Sequence, residues 1–466
     1  MKMNKIVLSL AGVLAAAAFA PEASAVPVFA RQTGMACSAC HFNHFPLLNA
    51  FGRSFKASGY TLMGAQGKVE GEDLSIPDRL NMGVLVTAGW ENMSKASVPA
   101  AAAGQNFSGW FVPTNGGELS IFFGGKVTEN SGFLSELGLT GNGANAVAGT
   151  PNAVGVPSAK LLILPEVGNN TRVGVAAYSI GQDAASSFEL LNTGASSIHR
   201  LMGKTGTNAG ATGTEHIRAY SARQYVAPEA SAAGLSLIAV NTDMGFLNIS
   251  KYASAPPGTT KQGVSGLPGT YVRAAAFFNL AGFESAAGIQ SWSGTQVLGV
   301  GSNTGTYLRE EKATVVDFQM QGEVGGKGLG IYASYGRAPA VNVVPAGPVG
   351  VNGAAAPAAA GFNAGAAGLA TKTSFNIAAD YTVMPKTTLQ AAYRNAKTPA
   401  TAAGVLGSTQ SDNAIMIGAA YELAMNQHLS LTYTAQSGSA WDNVATAVNN
   451  GVAGKNVTTV LLETLF

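Results

Sequence analysis

Cys37, Cys40 and His41 stand in the run QTGMACSACHFNHFP, and their types and spacing could do chemistry. Two thiols three positions apart, followed at once by an imidazole, form C-x-x-C-H, the attachment pattern of a c-type haem. Each thiol can add to one vinyl group of the porphyrin, and the imidazole is then placed to bind the iron. Two other chemistries use such a pair. A redox disulfide does not need His41, and a zinc site wants a second ligand pair. The chain has 2 cysteines in 466 residues, so no second pair exists. One covalently bound haem c is expected, with His41 as proximal ligand to its iron.

Residues 26–77 are read as a small, mainly helical or irregular monohaem cytochrome c segment. About 50 residues are too few to bury a large core unaided. A haem supplies part of that core, with Phe42, Phe45, Leu47, Leu48, Phe51, Phe55 and Tyr60 as apolar surface around it. Pro46 is a candidate start for a helix over LLNAFGRSFKA, with Gly59 as its stop. Arg31, Arg53 and Lys56 are candidates for the haem propionates. A helix continuing past His41 would hold His44 on the proximal side of the iron. Met63, in GYTLMG, lies far enough along the chain to fold across and is the expected distal ligand. Thioether ligation would raise the potential. Met35, Met82 and a vacant sixth position are the alternatives.

The chain opens MKMNKIVLSLAGVLAAAAFAPEASA. Lys2 and Lys5, an apolar run and Ala23-Ser24-Ala25 read as a cleaved signal peptide over 1–25. Haem attachment to C-x-x-C-H likewise takes place outside the cytoplasm. Charged residues make up 11% of the chain, against about 25% in ordinary globular proteins. So few charges leave a soluble domain without a solvated surface, whereas the outer wall of a lipid-facing β-barrel needs none. The leader takes two lysines and one glutamate from 27 basic and 25 acidic side chains. The near balance that remains implies no nucleic-acid partner.

Residues 78–466 carry a period-2 pattern. In TSFNIAADYTV, Phe375, Ile377, Ala379, Tyr381 and Val383 share one face, and Ser374, Asn376, Asp380 and Thr382 the other. NAIMIGAAYEL and HLSLTYTAQ repeat this, as expected of strands with lipid on one side and a lumen on the other. About sixteen strands are expected from 80–93 to 456–466, among them 217–227 and an undivided 233–252. Long connectors follow the odd strands and short ones the even strands, which puts the short turns and both barrel ends in the periplasm. Residues 338–372 form a low-complexity loop. Phe466 closes the last strand as a terminal aromatic. The fold class is therefore all-β, a transmembrane antiparallel barrel preceded by a haem-bearing plug. His199, His216 and His428 are read as ordinary surface imidazoles.

The segment from Val26 to Leu62 resembles the start of the fused monohaem cytochrome–porin family of bacterial outer membranes, best known as ferrous iron oxidases. The matching elements are Pro27-Val-Phe-Ala-Arg-Gln-Thr-Gly34, the C-x-x-C-H, Phe45-Pro46, Phe51-Gly-Arg53 and Gly59-Tyr-Thr61, over roughly 37 residues. The resemblance implies that Cys37 and Cys40 carry the haem and that His41 is its proximal ligand. It further implies an oxidoreductase passing electrons inward from extracellular Fe(II) to a periplasmic carrier such as a soluble cytochrome c, in contact with outer-membrane lipid. A solute porin with a haem-bearing plug is a separate reading, as is a conduit for another donor or for outward flow.

Overall fold

The computed structural model describes residues 28–43, 46–64, 66–93, 107–114, 116–139, 155–180, 184–194, 221–226, 232–253, 267–298, 307–340, 343–345, 370–399, 409–439 and 456–466. The leader, His44, Phe45, His199, His216 and most of the 338–372 loop lie outside them. Among the described residues three short helices come first: α1 (Val28–Thr33), α2 (Cys37–Cys40) and α3 (Ala50–Ala57). A hairpin of Lys68–Gly71 with Leu74–Pro77 leads to the barrel.

The barrel is closed and antiparallel, with sixteen strands. The first four are β1 (Met82–Met93), β2 (Phe107–Pro113, interrupted and resumed at Leu119–Thr128), β3 (Ser131–Gly138) and β4 (Gly155–Ile163). The next four are β5 (Thr171–Ile180), β6 (Ala232–Asn241), β7 (Gly245–Ala253) and β8 (Gly269–Leu280). Then come β9 (Phe283–Leu298), β10 (Tyr307–Val324), β11 (Lys327–Ala338) and β12 (Lys372–Met384). The last are β13 (Thr387–Pro399), β14 (Asn413–Ala424), β15 (Gln427–Ser437) and β16 (Asn456–Leu465). Strand β16 closes on β1 from Val457↔Met93 to Leu465↔Leu85. Phe466 and Val84 then exchange both backbone hydrogen bonds, so the terminal aromatic forms the last rung.

The alternation sets the two faces as the sequence pattern requires. On β12, Ser374, Asn376, Ala378 and Asp380 are buried, while Phe375 and Ile377 are exposed. On β14, Ile415 and Ile417 are each 59% exposed, an apolar exterior suited to hydrocarbon rather than water. Turns after even strands are short. One is Gly325-Gly326, where both residues have positive φ (62° and 71°), the conformation that a two-residue hairpin turn demands.

Two sequence expectations are corrected, and their errors cancel in the strand count. Residues 233–252 are two strands, β6 and β7, joined by a turn at Thr242–Met244. The Asn241 side chain accepts from the backbone N–H of Asp243 and Met244, each at 3.0 Å, and so holds that turn. Conversely, the expected strand 217–227 is described only over residues 221–226, and these form no strand. Its described part is a helix, α4 (Ala222–Val226), with every residue buried. Apolar residues Ala222, Tyr225 and Val226 have helical spacing, which a period-2 reading of so short a run does not separate.

Helix α4 belongs to the connector between β5 and β6, and its described parts, residues 184–194 and 221–226, pack inside the barrel. Residues 185–194 of the same connector are buried. At their centre Arg273 of β8 is held between Glu189 (3.0 Å) and Asp317 of β10 (2.7 Å), all three almost fully buried. At α4 the Tyr225 hydroxyl donates to Asp412 at 2.7 Å, and the Arg394 guanidinium meets the same carboxylate at 2.6 Å.

Placing a charge on the outer face tests this assignment. Ile417→Arg is expected to cost about 2–4 kcal/mol if the site lies near the bilayer midplane, read as a lower urea midpoint in lipid vesicles. Ile417→Leu should leave the midpoint unchanged.

Candidate functional site

Gln32 of α1 fixes the N-terminal segment to the barrel wall. Its side-chain amide donates to the carbonyls of Tyr60 and Leu62, both at 2.7 Å. Its oxygen accepts from the Lys126 backbone N–H at 3.1 Å and the Asn81 amide at 3.4 Å. Gly59 (φ 72°) ends α3 as expected, and Tyr60 (φ 64°) follows in the same left-handed region. This turn stacks the Tyr60 ring on Phe29, with centroids 4.7 Å apart, and Phe55 packs edge-on against Phe29 at 4.9 Å.

The cysteine motif forms a single helical turn. Helix α2 stops at Cys40, and His41 is already extended (φ −113°, ψ 142°). The chain then turns back, so that His41 pairs with Leu48 in an antiparallel bridge and Phe42 N–H reaches the Leu47 carbonyl at 2.8 Å. This removes the premise of a helix running on through His44. Leu47 and Leu48 are not helical either. Helix α3 begins at Ala50, where the Asn49 side chain caps it by accepting from Gly52 N–H at 2.9 Å. The Asn49 amide also donates to the carbonyls of Ser38 (3.3 Å) and Ala39 (3.0 Å), tying α3 to α2. Gly52 lies so close to this turn that a Cβ would stand 2.1 Å from the Cys40 carbonyl oxygen.

Cys37, Cys40 and His41 border one cavity of about 360 Å³, walled by Phe29, Phe55, Tyr60, Leu134 and Leu190 among others. It lies at the short-turn end of the barrel. Cys37 Sγ is 3.4 Å from Asn426 Oδ1 in the β14–β15 turn. Asn192, from the inward connector, reaches the segment from deeper in the lumen, accepting from Leu48 N–H (2.8 Å) and donating to its carbonyl (3.2 Å). His41 Nδ1 lies 3.3 Å from the Leu47 carbonyl oxygen. A carbonyl only accepts, so Nδ1 carries the proton and Nε2 the lone pair. That is the arrangement of a metal-binding imidazole steadied from behind. Burial pushes the His41 pKa below its ordinary value, which favours the neutral ring. Burial raises both thiols, and Glu422 adds to this at Cys37. Two thiols, an oriented neutral imidazole and aromatic walls on one cavity fit a covalently attached haem.

The structure places the other residues singled out in the sequence as follows. Met63, the expected distal ligand, is not among the residues that line the cavity. Met82 falls on the exposed face of β1, at 42%. Met35 does line the cavity, as do Met425 and His428. Arg53 is committed to the wall, through Gln321 (2.9 Å) and Glu284 (3.1 Å), and Arg31 donates to the Met82 carbonyl at 2.8 Å. Lys56 borders the cavity together with Lys160 of β4, which sequence reasoning passed over. His428 is buried on the inner face of β15 rather than exposed. The alternation of HLSLTYTAQ already contained that signal, since His428 shares the parity of Ser430, Thr432 and Thr434.

No family model and no curated protein matches the chain. Among solved structures, OprB of Pseudomonas putida is 9% identical with a TM-score of 0.48, covering 82% of this chain and 94% of its own. OmpF of Salmonella typhi in complex with daunomycin is 10% identical with a TM-score of 0.46, covering 86% and 100%. The outer membrane channel DcaP of Acinetobacter baumannii is 12% identical with a TM-score of 0.43, covering 83% and 97%. At these scores the likeness adds nothing to the strand pairing, on which the fold rests.

Substituting Gly52 tests the clamp on the cysteine turn. Gly52→Val should push Cys40 away from its position and lower the haem content of the exported protein several-fold, measured as haem absorbance per chain. The barrel should still show heat-modifiable gel migration.

Proposed function

We propose that this protein is an outer-membrane electron-transfer protein that oxidises an extracellular reductant, Fe(II) in the first instance, and delivers the electron to a periplasmic acceptor such as a soluble cytochrome c. The observation that carries the reading is the cavity shared by Cys37, Cys40 and His41 at the short-turn mouth of a closed barrel. Cys37 and Cys40 would hold a haem c, His41 would ligate its iron through Nε2, and Lys56 and Lys160 would neutralise its carboxylates. Bound there, the haem would exchange single electrons with a donor and an acceptor. Phe29, Phe55 and Tyr60 give the cavity an apolar wall, and the Leu47 carbonyl orients the His41 ring.

The balance is simple: each Fe(II) becomes Fe(III), and each acceptor gains one electron. No proton or group is transferred, so no general base or nucleophile is required. A hydrocarbon layer about 30 Å thick separates the two aqueous sides, and oxidation outside the cell keeps poorly soluble ferric product out of it. The resemblance of residues 26–62 to the cytochrome–porin family agrees with this reading. Against a simple solute pore, the lumen-facing Asn248, Arg273, Gln290 and Arg394 are all at 0% exposure.

Anaerobic mixing of the purified, detergent-solubilised protein with excess Fe(II) tests the proposal. The haem bands should pass from the oxidised to the reduced form. A haem-loaded protein that dithionite reduces but Fe(II) does not would contradict Fe(II) oxidation. Ion conductance in planar bilayers that changes on reduction would favour a gated pore.

A further inference from the structure

Among the described residues two imidazoles border the cavity, and they come from different parts of the chain. His41 is supplied by the N-terminal segment and His428 by the barrel wall, at the start of β15. We propose that His428 is the sixth ligand of the haem iron, so that segment and barrel are joined through one metal centre. The proposal rests on the haem reading above and names the residue that completes its coordination.

Position, burial and flanking groups support the assignment. His428 is 8% exposed, whereas Met35 and Met425, which also border the cavity, are 41% and 47% exposed. Met63 does not border it. Asn426, two residues before His428, already meets Cys37 at 3.4 Å, so this stretch of the wall lies against the cysteine turn. The strands on either side place Glu422 and Glu463 in register with His428. Residues directly opposite on antiparallel strands point to the same face with Cβ atoms about 4.5–5.5 Å apart. Either carboxylate is therefore within reach of one ring N–H of His428, which would turn the other nitrogen toward a metal, as carboxylates behind ligating histidines do. His41 has the corresponding support from the Leu47 carbonyl.

The competing role for His428 is an ion pair with these carboxylates and no metal bond. Low-temperature electron paramagnetic resonance and near-infrared magnetic circular dichroism of the exported, oxidised full-length protein separate the two. The wild type should be low-spin and lack a sulfur-to-iron charge-transfer band. His428→Ala should become high-spin and return to low-spin on adding imidazole. His428→Met, which keeps a ligand of similar bulk, should gain the sulfur-to-iron band and show a raised reduction potential. Intact mass should show one haem throughout. A His428→Ala spectrum identical to wild type, or a wild-type sulfur band lost in Met35→Ala, Met63→Ala or Met425→Ala, would overturn the proposal. Absence of covalent haem from the wild type would overturn the haem reading along with it, whereas unchanged spectra in haem-loaded His428→Ala would overturn this assignment alone.

Discussion

A barrel of sixteen strands encloses more space than its own inward side chains fill, and such barrels ordinarily hold water. Here the lumen is occupied from two directions. The connector between β5 and β6 folds inward as residues 185–194 and α4, and the N-terminal segment enters from the short-turn end. The two meet where Asn192 pairs with the backbone of Leu48, seven residues beyond His41. The cavity bordered by Cys37, Cys40 and His41 is what this double filling leaves open.

Filling a polar lumen obliges its groups to find partners, because each one left unpaired costs on the order of 1–3 kcal/mol. Gln32 satisfies both halves of its amide with four contacts. Arg273 lies between two carboxylates contributed by different elements. Buried ion pairs of this kind add little net stability, since desolvation offsets their attraction. Their effect is positional. Glu189 can neutralise Arg273 only if the inward connector sits where it does, and that placement brings Leu190 and Asn192 to the cavity wall.

Local signals carried much of this. The C-x-x-C-H spacing, the alternation of β12, β14 and β15, and the stop at Gly59 are each contained in a few adjacent residues. What depended on distant partners was not legible. Gln32 and Asn49 are single polar residues whose importance comes from carbonyls elsewhere in the chain, although Asn49 before AFGRSFKA is a recognisable helix cap. Ala222–Val226, within the 217–227 run, are helical because a short buried helix and a strand carry the same apolar load. The 233–252 run divides at Asn241-Thr-Asp-Met-Gly245, a turn held by one side chain and flanked on both sides by strand-like sequence. His428 shows the opposite fault: its inward orientation follows from the strand pattern, but its neighbours across the lumen cannot be read from that pattern.

The proposed electron transfer through this barrel requires Cys37 and Cys40 to hold a haem at its mouth. Intact mass of the exported protein, followed by mass of the peptide containing both cysteines, tests this most directly. One haem per chain is expected, borne by that peptide and resistant to extraction with acidified solvent. A peptide with free thiols or a Cys37–Cys40 disulfide, and no added haem mass, would contradict it.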